Sequence, residues 1–354
     1  MKNPTQTPSN PIDALAQIAS SAEQTEKKAA APFTPPIFKG GRLCDLMDKD
    51  YAPLSQMFGE LLHEEELCIL FADTNLGKSI LAVQIAEEIT APAPDSLIRQ
   101  ITSKPIQAID SKVMYFDFEM NERQVKHRYT NHDSNLSYQF NGNIERYNID
   151  WEEAKGDEPV KELMDGLATM TESHQPILLI IDNITYLQTD GGITGKESGQ
   201  IMKGLKKLKD TAKNGLSILV IAHTPKLYDN SKPITLTSLA GSKNFANFAD
   251  SIFCIGKSYE HESESQAYIK QLKIRAAQFR YAQDNIILVD RKQKDNGLLS
   301  FDFIRFDDEM HHLFKMTKEV EKADRDAQIV DALTTDTIRT VADKFGLSVG
   351  AVHK

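Results

Sequence analysis

Residues 67–89 read LCILFADTNLGKSILAVQIAEEI, and the fold of the chain turns on this stretch. LCILF (67–71) is a continuous apolar run of strand length, and ILAVQIAEEI is an amphipathic helical pattern. Between them lie Ala72, Asp73, Thr74, Asn75, Leu76, Gly77, Lys78 and Ser79. A strand, a loop ending in Gly-Lys-Ser and a helix form the context of a Walker A loop. Gly77 lets the backbone turn so that successive N–H groups face phosphates, and the helix adds the positive end of its dipole. Lys78 is placed to reach the terminal phosphates and Ser79 to hold Mg²⁺. Ala72 departs from the pattern, because a glycine usually stands first. The competing reading is a surface turn before a helix.

Outward from this stretch the texture repeats. VMYFDF (113–118), ILLIID (177–182), LSILVIA (216–222) and SIFCIG (251–256) are four more apolar runs. Helical patterns separate most of them, at 78–89, 122–129, 158–172 and 197–213. Short apolar strands alternating with helices predict an α/β fold with a parallel sheet covered on both faces. AYIKQLKI (267–274), NIILVD (285–290) and LLSFDFIRF (298–306) predict an antiparallel extension. A weak helical pattern covers Leu43 to Leu62. Prolines 4, 8, 11, 32, 35 and 36 punctuate a polar start that reads as a disordered tail over 1–36, with one helical candidate at Ile12–Ser21. The ordered domain is expected over 37–317, and 318–354 reads as a charged linker with a small C-terminal helical segment.

Composition bounds the function. The 354 residues carry 41 Lys+Arg against 51 Asp+Glu, a formal net charge of −10, which excludes coating nucleic acid through bulk positive charge. Three scattered cysteines form neither a disulfide framework nor a zinc spacing. The N-terminus lacks the apolar run of a signal peptide, and no stretch approaches the roughly 20 apolar residues of a membrane span. A reducing cytoplasm is the expected location.

The ends of the apolar runs carry the remaining candidates. ILLIID ends in Asp182, the expected carboxylate of a magnesium shell at the C-terminal edge of a buried strand. VMYFDF runs into Glu119, placed to orient and deprotonate a water; Asp117, deeper on the same face, is the runner-up, and a helix-capping role for Glu119 is the bland alternative. LSILVIA ends in His223, either a γ-phosphate sensor or a structural histidine.

Taken together these residues resemble the RecA-like P-loop ATPases, in particular the hexameric replicative helicase branch with its DnaB-type and RepA-type members. The resemblance covers Leu67 to Asp290. It implies a RecA-like core that binds ATP and Mg²⁺ and assembles into a ring, a hexamer, on single-stranded DNA. The Ala-first loop is similar to the DnaB-type loop, Phe118-Glu119-Met120 to the strand-end Glu-Met whose Glu is the base, and Asp182 and His223 to the Walker B and sensor positions. Lys273 and Arg275 resemble the Lys-x-Arg pair that a neighbouring subunit inserts as an arginine finger, with Arg280 an alternative finger. On their own they also read as polar residues on an exposed strand face.

Two loops, Thr189–Lys196 and Lys226–Lys243, have the Gly, Ser and Lys content of segments that line a channel, and Lys196, Lys226, Lys232 and Lys243 are the expected DNA contacts. No N-terminal helical domain of the DnaB type precedes the core in this sequence, which favours a compact RepA-like protein of a plasmid or mobile element. The stretch TIRTVADKFGLSVGAVHK (337–354), with Asp336 as cap, resembles a helix-turn-helix whose second helix ends early; a helical hairpin used for packing is the alternative. An ATP-dependent regulator or loader without unwinding activity therefore stands beside the helicase/translocase reading.

Overall fold

The computed structural model describes residues 40–51, 55–102, 109–149, 159–184, 195–224, 229–239, 242–260, 263–275, 277–314, 318–334 and 336–352. The expected tail over 1–36 and its helical candidate lie outside them. The chain divides into two units, residues 1–53 and 54–354. The first contains helix α1 (Leu43–Met47).

The apolar runs become strands of one nine-stranded sheet, with β3 (Leu67–Ala72) near its centre. The others are β4 (Val113–Asp117), β7 (Ile144–Tyr147), β8 (Leu178–Asp182), β9 (Ser217–His223), β10 (Ser251–Lys257), β11 (Gln266–Lys273), β12 (Ile286–Gln293) and β13 (Leu299–Asp307). The order is β13-β12-β11-β10-β3-β9-β8-β4-β7. The six strands from β10 to β7 run parallel, and β11 to β13 extend the sheet antiparallel.

Strand alternation sorts the side chains between two cores. Cys68, Leu70 and Ala72 join one core, packed by α2 (Lys78–Thr90), while Leu67, Ile69 and Phe71 join the other. That second core is closed by α5 (Pro159–His174) and α6 (Gly195–Thr211). Burial of both faces explains why these strands are apolar throughout. Among the described residues no helix is long and apolar enough to cross a membrane.

Three local expectations change. Among the described residues the helical pattern over 43–62 yields α1, and later apolar residues form a small hairpin, β1 (Gln56–Phe58) and β2 (Leu62–His63), closed at Gly59 with φ +54°. Positive φ is open to glycine, and the hairpin buries Met57, Phe58, Leu61 and Leu62. The loop expected over 226–243 contains a 3₁₀ turn (Leu236–Ser238) and the start of α7 (Ser242–Phe248). In the C-terminal pair, Thr337 rather than Asp336 caps α9 (Ile338–Phe345), its hydroxyl accepting from the Thr340 N–H at 3.4 Å. Gly346 ends α9 at φ +63°, and α10 (Val349–Val352) follows. Before this pair runs α8 (Lys318–Ala332).

Candidate active site

Parallel register brings four strand ends to one edge. Ala72 is the partner of His223, and Asp117 of Asp182. Asp182 continues the parity of Leu178 and Ile180, so it points to the α2 face, where Lys78 lies.

The loop turns twice through positive φ, at Asn75 (64°) and Gly77 (90°). At Gly77 a Cβ would stand 2.6 Å from Phe301 Cζ, so glycine is required by both conformation and space. Lys78 is buried, and its Nζ donates to the carbonyls of Ala72 (3.1 Å) and Asp73 (2.9 Å). Burial lowers its pKa from 10.5 to about 8, against the opposing pull of Asp182, Glu119 and Asp73. Arg291 Nη1, from β12, donates to the Asn75 carbonyl at 2.8 Å and steadies the outer turn.

Asp182 is 2% exposed, and burial raises its pKa to about 6 despite hydrogen bonds from Ser79 and from the Tyr115 hydroxyl, 2.5 Å from Oδ2. A hydroxyl and a carboxylate side by side are the hard oxygen donors that magnesium takes, so Ser79 and Asp182 fit that ion. Bound there, Mg²⁺ would neutralise charge on the phosphates.

Glu119 stands across from them. The Asn183 amide donates to Glu119 Oε1, and His223 Nε2 lies 3.5 Å from the same oxygen and 3.0 Å from Asn183 Nδ2. The His223 hydrogen bond and charge, then Lys78 and Asn183, outweigh burial and hold Glu119 below the ordinary carboxylate value. It is therefore a carboxylate at neutral pH, linked directly to the strand-end histidine.

Asp117 has a different role from the runner-up base. It is 1% exposed; its Oδ1 accepts from the N–H groups of Glu119 (3.0 Å) and Met120 (2.9 Å), and its Oδ2 takes Arg146 Nε and Nη2 at 3.1 and 2.8 Å. Arg146 also donates to the Met120 carbonyl. Asp117 and Arg146 brace the turn that carries Glu119. Asn121 then caps α4 (Glu122–Arg128) through a reciprocal pair with Gln124.

Beyond the loop opens a cavity of about 380 Å³, lined by residues 73–76 and by Thr224, Lys257, Tyr259, Glu264 and Arg291 among others. The buried Thr224 hydroxyl has no hydrogen-bond partner there. An orphaned donor beside the loop, and a volume within the range of ligand sites (about 300–1,000 Å³), suit a bound nucleotide.

These features match a known domain type over residues 43–229, more than half of the chain, described as AAA domain. The chain belongs to the AAA domain family. Its site is that of a P-loop ATPase domain, and the antiparallel strands β11 to β13 lie beyond the matched residues. No curated protein matches the sequence.

Lys273 and Arg275 are not part of this cluster. Lys273 pairs with Ile252 at the start of β10, and its Nζ donates to the Ala246 and Ala249 carbonyls at the end of α7 (2.6 and 2.7 Å). Arg275 Nη1 meets Asp250 Oδ1 at 3.1 Å, beside Leu67, whose N–H donates to the same carboxylate. Both cations therefore lie at the far end of β3 from Lys78. Arg280 is exposed, with its guanidinium 5.9 Å from the Tyr281 ring centroid. Of the expected DNA contacts, Lys226 and residues 189–194 lie outside the described residues, as do the side chains of Lys196 and Lys243. Lys232 is exposed and pairs with Asp229 at 2.7 Å.

Sequence reading missed Tyr115, Arg146, Asn183, Thr224 and Arg291. Period-2 spacing from Asp117 marks Tyr115, and adjacency to Asp182 and His223 marks Asn183 and Thr224. Arg146 and Arg291 sit on strands whose neighbours only the sheet order reveals.

Proposed function

We propose that this AAA domain protein is an ATP-hydrolysing translocase of the RecA-like, RepA-type helicase branch, acting as a ring on single-stranded DNA of a plasmid or mobile element. The observation that carries the reading is the position of Arg275. β3 covers six residues, about 17 Å at the usual rise, and Arg275 sits at the end opposite its own phosphate loop. A guanidinium there is of no use to its own nucleotide; half-exposed, it can exchange Asp250 for the phosphates of a neighbouring copy, which supports an assembly in which hydrolysis depends on the adjacent subunit.

In this reading Lys78 and the loop N–H groups hold the phosphates, and the nucleoside half of ATP enters the cavity beside Tyr259. Ser79 and Asp182 would hold Mg²⁺. Glu119, kept ionised and aimed by the Asp117–Arg146 brace, orients the attacking water and accepts its proton. His223, joined to Glu119 through Asn183, reports the state of the γ-phosphate to the segment that leads into α7.

The test combines ATPase assays with and without oligothymidylate and unwinding of a forked duplex. Stimulation and strand separation are expected, and Glu119→Gln should lower kcat by about 10²–10⁴ while nucleotide still binds. Mixing Arg275→Ala subunits into wild type should depress the rate per wild-type subunit. Absence of single-strand stimulation across a range of salt removes the helicase reading. A second reading, an ATP-dependent regulator that does not unwind, is favoured by α9 and α10: the left-handed Gly346 between them and the buried Val341 and Ala342 suit a helix-turn-helix. Slow, unstimulated hydrolysis with duplex binding lost on deleting 336–354 would select it.

A further inference from the structure

Several cations at the surface of this acidic molecule are neutralised by carboxylates. Lys112 pairs with Glu145, Lys232 with Asp229, Arg275 with Asp250, Lys292 with Asp290 and Lys294 with Asp95 and Asp302. Others, among them Lys203 and Lys207 on α6 and Lys213 just after it, have no such partner among the described residues, and on one surface such cations stand beside exposed imidazole rings. On α4, Arg123, Lys126 and His127 are exposed, and among the described residues none forms an ion pair with a carboxylate. The adjoining hairpin of β5 (Thr130–Asn131) and β6 (Leu136–Ser137) adds the exposed His132, whose ring centroid lies 4.3 Å from that of His127. Arg123 and Lys126 are three apart, and Arg123 and His127 four apart, so all three share one helix face. Leu136, 55% exposed, extends the surface with an apolar contact.

With a net charge of −10, a polyanion is drawn to surfaces where cations stand without internal partners. Cations beside exposed aromatic rings suit a flexible strand that offers phosphates and unstacked bases together. An acidic protein surface would use the charges and leave the paired imidazoles without a role. We infer that the α4 face formed by Arg123, Lys126, His127 and His132 binds the backbone and bases of single-stranded nucleic acid. The inference rests on the single-strand reading above and assigns it a contact distinct from Lys196, Lys226, Lys232 and Lys243.

Its position gives the contact a consequence. α4 begins two residues after Met120, whose carbonyl is held by Arg146 and by Asn148 Nδ2 at 3.2 Å. A strand seated on α4 bears directly on the turn that aims Glu119, so binding there couples to hydrolysis.

The experiment is fluorescence anisotropy of a labelled oligothymidylate against salt, for the full chain and for Arg123→Ala/Lys126→Ala and His127→Ala/His132→Ala. Each single-strand phosphate contact contributes about 0.7 to the slope of log K against log salt, so losing two cations should flatten it by about 1.4 and weaken binding about 25-fold at 0.1 M salt. The histidine pair should weaken binding with little change in slope. ATPase without DNA and melting temperature should match wild type, and DNA stimulation should fall. Wild-type binding with both variants unaffected overturns this inference alone. No binding by wild type overturns it together with the single-strand reading. Normal DNA binding with altered mass in solution makes the face a protein interface and also overturns it.

Discussion

Lys78→Met should abolish ATPase activity and at the same time stabilise the nucleotide-free protein. Lys78 is 6% exposed, and burial, opposed by Asp182, Glu119 and Asp73, lowers the pKa of its ammonium from 10.5 to about 8. At about 1.4 kcal/mol per tenfold in proton affinity, that difference amounts to roughly 3 kcal/mol set against the charged, folded state. Below pH 8 both folded and unfolded chains hold the proton, and the penalty applies in full. Between pH 8 and 10.5 the unfolded chain still holds it while the folded chain has released it, so stability rises with pH across this window. Methionine removes the charge but gives up the bonds to the Ala72 and Asp73 carbonyls, which offsets about 1–2 kcal/mol. The expected net gain at pH 7 is about 1–2 kcal/mol, shrinking as pH rises from 8 towards 10. Urea unfolding followed by circular dichroism at pH 7, 8, 9 and 9.5, for variant against wild type, reads this directly. A variant less stable than wild type at pH 7, or a difference that does not change with pH, would refute the reasoning. The cost has a functional meaning: arriving phosphates supply the counter-charge that Lys78 lacks, so binding energy falls on the nucleotide's reactive end.

Arg146→Ala leaves the buried Asp117 carboxylate without its ion-pair partner, at a cost of about 3 kcal/mol; thermal melting should fall by about 6–9 °C at roughly 2–3 °C per kcal/mol. Because Asp117 then holds the Glu119 turn alone, kcat should drop further than KM rises, and an unchanged kcat would show that the brace does not position Glu119. Gly77→Ala forces a Cβ onto Phe301 at φ +90° and should cost about 2 kcal/mol together with nucleotide affinity. Adding Phe301→Leu should return only part of that loss, and full recovery in calorimetry would mean that the left-handed backbone is unimportant. Lys270 and Glu309 form a buried pair at 2.5 Å, and Glu309 also accepts from Ile234 N–H (2.9 Å) and Tyr268 hydroxyl (3.1 Å). Lys270→Met should cost about 3–5 kcal/mol in chemical denaturation, with part regained in Lys270→Met/Glu309→Gln; equal loss in both would contradict an unpaired-charge origin.

The chemistry along single strands was legible without a structure. Residues 67–89 carry strand, turn and helix signals in consecutive order, and the end of the apolar run ILLIID is enough to put Asp182 at a strand end. The hairpin at 56–63 was not legible. Its apolar residues suit a helix equally well by spacing, and only the core they enter decides between the two. The same holds for Asp117, whose type and position suit a base until Arg146, from a strand 29 residues later, neutralises it.

What the sequence alone determined is the phosphate loop, the oxygen donors Ser79 and Asp182 at a loop end and a strand end, and the alternation of strand and helix, because each depends on neighbours within a few residues. What only the tertiary structure decided is which side chains meet across strands. Parallel register sets Ala72 beside His223 and Asp117 beside Asp182, joins Glu119 to His223 through Asn183, and carries Lys273 and Arg275 to the far edge. Those relations depend on strand order, which is set by the burial of two apolar faces at once and leaves no mark in any local stretch of residues.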